Sequence, residues 1–216
     1  MINLPTIGFF GGTFDPVHYG HIRMALAAKE HLKLDEFRLL PCHQPPHRAT
    51  PQLTSQQRLL LLNLAVQEVD GLSIDARELK RDKLSWTVDT LRDCREEFGN
   101  QLSITLLMGA DVYSSLESWQ EWQQLPKLAH IGILQRPKYT LPEVGVLARW
   151  LERSSAANIH SRPAGTVVAL DQPQLPWSAT QIREQLALGI RPEGLSESVF
   201  NYIVAHQLYD FTEKKN

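Results

Sequence analysis

"TIGFFGGTFDPVHYGHIRMA" (6–25) sets an apolar run, two glycines, a proline and two histidines ahead of a helix-like stretch. It reads as strand, turn and helix, the opening of a βαβ unit. Gly11 and Gly12 read as the turn, where a missing Cβ lets backbone N–H groups approach an anion and permits unusual dihedrals. Asp15 and Pro16 read as an N-cap followed by the proline-tolerant first helical position, so regular structure resumes just before His18. At spacing i, i+3, His18 and His21 share one face, and Gly20 between them leaves open space above it. Orphan amides and the helix dipole favour negative charge there, which makes the segment a phosphate cradle by construction. Two histidines at this spacing also suit zinc, with His43 and His47 in a later loop. No HExxH pattern or cysteine partner completes a ligand set, so no protein-ligated metal is expected. A bare tight turn is the plain alternative, and the GxGxxG and GxxxxGK[ST] templates both fail.

Outward from this unit, short apolar runs alternate with helix-periodic ones, the pattern of βαβ units feeding a parallel sheet. Strands are expected at 6–10, 36–41, 72–75, 103–108, 130–135 and 166–170, and helices near 19–32, 54–69, 86–98, 143–152, 179–188 and 197–207. Thr54 and Gln57 form a capping box for the second helix, whose leucines 59, 60, 62 and 64 mark its apolar positions. Gly99 and Gly189 read as helix stops. The expected fold is a single α/β domain over 1–216, a Rossmann-like doubly wound parallel sheet with its site at the strand carboxyl ends, near the topological switch point. The tail 211–216 is expected to be mobile.

Composition narrows the function. Hydrophobic residues make up 43% and charged residues 21%, and a net charge of −2 supplies no basic field for a nucleic-acid backbone. No apolar run approaches a membrane span and no secretory n-region opens the chain, so a cytoplasmic location is expected. Cys42 and Cys94 lack CxxC spacing and read as free thiols. The loop "PCHQPPHRATPQ" (41–52) is long enough to suggest function, with His47 and Arg48 able to close over a phosphate. By contrast, 154–165 reads as a surface excursion and the "KRDK" run (80–83) as a solvated face.

Three further stretches carry chemistry. In "WSATQIR" (177–183), Ser178 with Gln181 forms a capping box, and Thr180 and Arg183 share a face beside another positive dipole end. In "KLSWTVDTL" (83–91), Ser85 or Trp86 caps a helix whose amides can receive a carboxylate, with Thr87 adding a hydroxyl. Asp111, after the fourth strand, suits a ribose hydroxyl or an ordinary N-cap, and Arg136, ending the fifth, suits a phosphate. Trp86, Trp119 and Trp122 also fit a reading as packing aromatics.

"GGTFDPVHYGH" (11–21) resembles the T/HxGH signature of the nucleotidylyltransferase superfamily, shared in looser form by class I aminoacyl-tRNA synthetases. Together with "PPHR" (45–48), "GAD" (109–111) and "WSATQIR", it resembles the bacterial nicotinate-nucleotide adenylyltransferase family, from residue 7 to about 209. The resemblance implies transfer of AMP from ATP to nicotinate mononucleotide, with Mg²⁺ accompanying the ATP phosphates. It implies catalytic roles for His18, His21 and Arg183, and an ATP-binding set of Gly11, Gly12, Thr13, Phe14, His18, His21, Ser178, Thr180 and Arg183. For nicotinate mononucleotide it implies Trp86, Thr87, Asp111 and Arg136, with Trp119 stacking on the pyridine ring. Two positions depart from the family pattern: Ala179 stands where serine is common and Gln120 where tyrosine is common. Other acceptors of the superfamily, namely nicotinamide mononucleotide, phosphopantetheine and FMN, and a non-catalytic nucleotide-binding regulator are the rival readings. A transfer-RNA synthetase is excluded by the missing KMSKS-type loop, anticodon-binding region and basic surface. A monomer or small homo-oligomer is expected.

Overall fold

The computed structural model describes residues 4–44, 50–81, 84–135, 140–152, 156–171 and 175–212. Its strands are β1 (Thr6–Gly12), β2 (Glu36–Pro41), β3 (Ser73–Ile74), β4 (Ser103–Gly109), β5 (His130–Leu134) and β6 (Val167–Leu170). They form one all-parallel sheet in the order β3-β2-β1-β4-β5-β6, with Phe9 opposite Arg38 on one side and Leu106 on the other. Chain direction across the sheet reverses between β1 and β4, which opens a crevice at their carboxyl ends. The helices are α1 (Tyr19–His31), α2 (Ser55–Gln67), α3 (Thr87–Phe98), α4 (Ala110–Ser114), α5 (Leu125–Leu128), α6 (Gly145–Glu152), α7 (Ala179–Ala187) and α8 (Glu197–Ala205).

Strands buried on both faces need apolar residues at every position, and alternate residues here feed two separate cores. Phe10, Leu107 and Leu134 pack with Ile22, Leu61, Ile182 and Val199, from α1, α2, α7 and α8. Phe9, Leu106 and Ile133 pack on the opposite face with Leu91, Tyr113, Leu125 and Leu147, from α3 to α6. The doubly wound expectation therefore holds, and Gly99 and Gly189 end their helices with φ of 76° and 70°.

The structure corrects several local readings. Gly11 and Gly12 are not the turn: both lie in β1, opposite Leu40 and Pro41. The turn begins after them, with Phe14 at φ 51° and a cis Asp15-Pro16 bond. Asp15 is not the N-cap of α1; His18 is, at φ −149° and ψ 166°. The Asp15 carboxylate instead takes the backbone N–H of Gln52 at 2.8 Å and the hydroxyl of Tyr209 at 2.7 Å. The buried stripe of α2 is Arg58, Leu61, Leu62 and Ala65, while Leu60 faces outward. The short helices α4 and α5, of 5 and 4 residues, are too brief to show a helical period.

Of the surface excursion read at 154–165, residues 154 and 155 lie outside the described residues, and the part around His160 is anchored instead. His160 is buried, its Nε2 2.7 Å from the carbonyl of Leu32 and its Nδ1 2.9 Å from Ser103 Oγ. His130, beside it, accepts from the N–H of Thr166 and places Nε2 on the carbonyl of Arg162, both at 3.0 Å. Burial pushes His130 down to about 4, so its ring stays neutral. The "KRDK" run is not wholly solvated either: Arg81 reaches Thr90 Oγ1 at 2.8 Å and pairs with Asp93. Neither Cys42 nor Cys94 is in a disulfide, and among the described residues no helix is long and apolar enough to cross a membrane.

Candidate active site

A cavity of about 550 Å³ occupies the crevice where β1 and β4 end. One end is walled by Gly11, Gly12, Thr13 and His21; the other by Ser85, Trp86, Thr87, Trp119 and Gln120, with Asp111 between them. A volume of this size suits a small ligand held by a few convergent polar groups.

Each glycine of the first motif has its own reason. A Cβ on Gly11 would meet nothing within 4 Å among the described residues, so that position leaves space at the wall. A Cβ on Gly20 would lie 2.7 Å from Cε1 and Nδ1 of His18 and 3.5 Å from the carbonyl of Trp177. The space above Gly20 is therefore not open: the His18 ring fills it. His18 and His21 do come together, with ring centroids 3.8 Å apart, His21 at the cavity and His18 buried. The N–H of His18 donates to Nδ1 of His21 at 3.3 Å, which makes Nδ1 the acceptor and leaves the ring proton on Nε2. Phe14 buries its ring in the core and meets His21 edge-on at 5.0 Å, so its side chain supports that histidine. Only part of the α1 N-terminus faces a ligand, because Tyr19 N–H is taken by the carbonyl of Gly194 at 2.8 Å.

The second motif meets the first. Ser178 is the N-cap of α7 and accepts from Gln181 N–H at 3.3 Å, as the capping box predicts. Arg183 donates to the carbonyl of Asp15 at 2.8 Å and to Thr180 Oγ1 at 3.4 Å, which ties the start of α7 to the turn before His18. Ser178, Thr180 and Arg183 do not line the cavity; Arg183 reaches the first motif through its bond to Asp15.

At the other end, Trp86 is the N-cap of α3 and Thr87 its first residue, and both line the cavity, so the start of α3 meets it. Ser85, buried just before them, accepts from the N–H of His43 at 3.0 Å. Trp119 lines the cavity while leaning on the second core, whereas Trp122 only packs there. Asp111 lies inside α4, capped by Gly109, which excludes the N-cap alternative. Its Oδ1 is buried with no hydrogen-bond partner among the described residues, as an acceptor kept for a ligand would be.

His47, Arg48 and Arg136 lie outside the described residues. Sequence reasoning missed Glu78, a buried carboxyl in the cavity wall that receives Thr90 Oγ1 at 2.7 Å. Burial pushes Glu78 up from the usual carboxylate range, against the pull of Thr90, Ser85 and Arg81. It also missed Arg58, whose only signal was a charge placed in the apolar stripe of α2. Among the described residues no group of three or more His, Cys, Asp or Glu converges to hold a metal ion.

A parallel sheet of this order, with paired histidines at the end of its first strand and a second helix N-terminus tied to the same turn, defines a Rossmann-like nucleotidyltransferase. The chain belongs to the cytidylyltransferase-like family, whose model matches residues 9–185, and within it to the nicotinate-nucleotide adenylyltransferases. The protein of Cellvibrio japonicus named "probable nicotinate-nucleotide adenylyltransferase" is 42% identical over 208 residues, 95% of this chain and 99% of that one. Its namesake in Pseudomonas putida (strain W619) is 45% identical over 206 residues, 94% of each chain. The fold is shared with the Plasmodium falciparum nicotinic acid mononucleotide adenylyltransferase complexed with NaAD. The TM-score is 0.74 at 18% identity, over 96% of this chain and 98% of that one.

Proposed function

We propose that this protein transfers AMP from ATP to nicotinate mononucleotide, giving nicotinate adenine dinucleotide and pyrophosphate. The observation that carries this reading is the single cavity joining residues 11–13 and His21 to the N-terminus of α3 and Trp119. A phosphate needs amide and imidazole donors, and a carboxylated pyridine needs a helix N-terminus and a flat apolar partner. Both sets face one space. A phosphate oxygen of the acceptor attacks the α-phosphorus of ATP in line, the bond from that phosphorus to the bridging oxygen breaks, and pyrophosphate leaves with the electron pair.

His21 donates its Nε2–H to the α-phosphate, where charge develops at the five-coordinate centre, and His18 holds His21 in place. Gly11 leaves room for the phosphates, Gly12 makes way for the Phe14 ring 3.0 Å from where its Cβ would be, and the backbone of Thr13 and Phe14 completes the turn. Arg183 spans from Asp15 to the departing phosphates, with Ser178 and Thr180 beside it. Trp86 and Thr87 at the start of α3 receive the nicotinate carboxylate, Trp119 stacks on its ring and Asp111 accepts a ribose hydroxyl. His47, Arg48 and Arg136 are assigned to phosphate contacts on sequence grounds alone. The donor set fits a magnesium ion carried by ATP phosphates and water, because among the described residues no His, Cys, Asp or Glu cluster competes for it. When bound, such an ion neutralises charge on the departing pyrophosphate. We place the reaction in the cytoplasm, performed by one domain without nucleic acid, as a monomer or small homo-oligomer.

A panel of acceptors with pyrophosphate release as readout tests the assignment. Nicotinate mononucleotide is expected to lead nicotinamide mononucleotide, FMN and phosphopantetheine, and a clear lead by any other acceptor overturns the choice. His21→Ala is expected to abolish turnover in a folded protein; near-normal turnover removes the imidazole from the reaction.

A further inference from the structure

Arg58 is 1% exposed, the largest fully buried side chain among the described residues. Its Nη1 donates to the carbonyl of Thr13 at 2.6 Å, and its Nη2 to the carbonyls of Cys42 at 2.8 Å and His43 at 3.0 Å and to Ser55 Oγ at 3.1 Å. Nε is buried with no partner among the described residues. None of the ion pairs among those residues involves Arg58. Asp15 shares that neighbourhood, and its charge is already engaged by the Gln52 N–H and the Tyr209 hydroxyl rather than by an ion pair with Arg58. A buried cation with no carboxylate in direct contact carries a desolvation cost that carbonyl dipoles meet only in part.

The groups it holds are site groups. Thr13 and Cys42 both line the cavity. In a trans peptide the C=O and the following N–H point in opposite directions. Drawing the Cys42 carbonyl toward α2 turns the N–H of His43 the other way, and that N–H is on Ser85 Oγ, next to Trp86 and Thr87. Drawing the Thr13 carbonyl inward likewise turns the Phe14 N–H away from α2. One guanidinium therefore holds the backbone at Thr13 and Cys42, and through the His43 N–H it is linked to Ser85 beside Trp86 and Thr87.

We propose that Arg58 is a positioning residue whose missing counter-charge is the polyphosphate of the bound nucleotide: it holds Thr13, Cys42 and His43 and presents a buried positive charge one carbonyl behind the cavity wall. The proposal rests on the reading that residues 11–13 receive ATP phosphates.

The test measures adenosine, AMP and ATP binding by calorimetry at constant ionic strength, on wild type, Arg58→Gln and Arg58→Lys, alongside melting temperature and turnover. Arg58→Gln is expected to leave adenosine affinity within about twofold, weaken AMP several-fold and weaken ATP by about tenfold or more, because a charge interaction scales with ligand charge. Arg58→Lys keeps the charge but not the fork, so the ATP-to-adenosine affinity ratio stays within about threefold while kcat falls. Equal weakening of all three ligands by Arg58→Gln, which lost packing alone produces, overturns the proposal, as does no change in any. If Arg58→Gln does not fold, a folded Arg58→Lys that loses the ATP-to-adenosine ratio by about tenfold overturns it, and a retained ratio with lowered kcat supports it. A wild-type protein that binds ATP no better than adenosine refutes the phosphate reading itself, whatever the variants do.

Discussion

Gly20→Ala isolates the position of one ring. The added Cβ would sit 2.7 Å from two atoms of the His18 imidazole, where ordinary contact begins at about 3.4 Å, so the ring must move by about 0.7 Å. His18 is buried with the His21 ring 3.8 Å away, and the displacement therefore passes to the histidine at the cavity wall. A misplacement approaching 1 Å in a reacting site costs on the order of 100-fold in rate, about 2.7 kcal/mol of transition-state stabilisation. Folding feels much less: overpacking costs about 1–3 kcal/mol, while alanine in place of a helical glycine returns up to about 1 kcal/mol. The assay is pyrophosphate release at saturating ATP and nicotinate mononucleotide, with circular dichroism and a thermal melt on the same preparation. The expected result is kcat down on the order of 100-fold with a melting point a few degrees from wild type. A folded Gly20→Ala protein whose kcat stays within about threefold of wild type would show that the position of His18 does not govern the rate.

Gly11→Ala is the converse case: its Cβ meets no atom of the described residues within 4 Å, so stability should hold while the KM for ATP rises about tenfold, and an unchanged KM places the phosphates elsewhere. Asp111→Ala removes a buried oxygen that lacks a partner, so denaturant titration should show no loss of stability while affinity for nicotinate mononucleotide drops about tenfold. A destabilised Asp111→Ala protein with normal affinity reverses that assignment. His130 is held near 4 in the folded protein against 6.5 unfolded, so the unfolded chain binds more protons between those values. Its contribution is complete above pH 6.5 and is lost as pH falls toward 4, about 1.4 kcal/mol per unit and about 3 kcal/mol across the window. His130→Asn should flatten that acid limb in urea titrations at pH 7 and 5, and an unchanged slope refutes it.

The sheet was legible because strands buried on both faces read as apolar runs, and all six appear near their expected positions. The two motifs were legible because histidine, glycine and a capped helix start are local signals. What failed was long-range or small. Asp15 looks like an N-cap until Gln52 and Tyr209, far along the chain, claim its carboxylate. Gly11 and Gly12 resemble turn residues because sequence does not separate a need for unusual dihedrals from a need for empty space. His160 sits in a polar stretch that resembles surface, yet its partners Ser103 and Leu32 are 57 and 128 positions away. Arg58 was masked by the run of leucines around it, and only the face it occupies reveals it.

The hydroxyl of Tyr209 closes on Asp15 across 194 positions. A ribosome delivers β1 and both histidines long before it delivers Tyr209. The first motif thus waits, through the synthesis of everything between them, for the partner that pins its turn. A nascent chain can pair its first strands early without yet holding a finished turn ahead of α1.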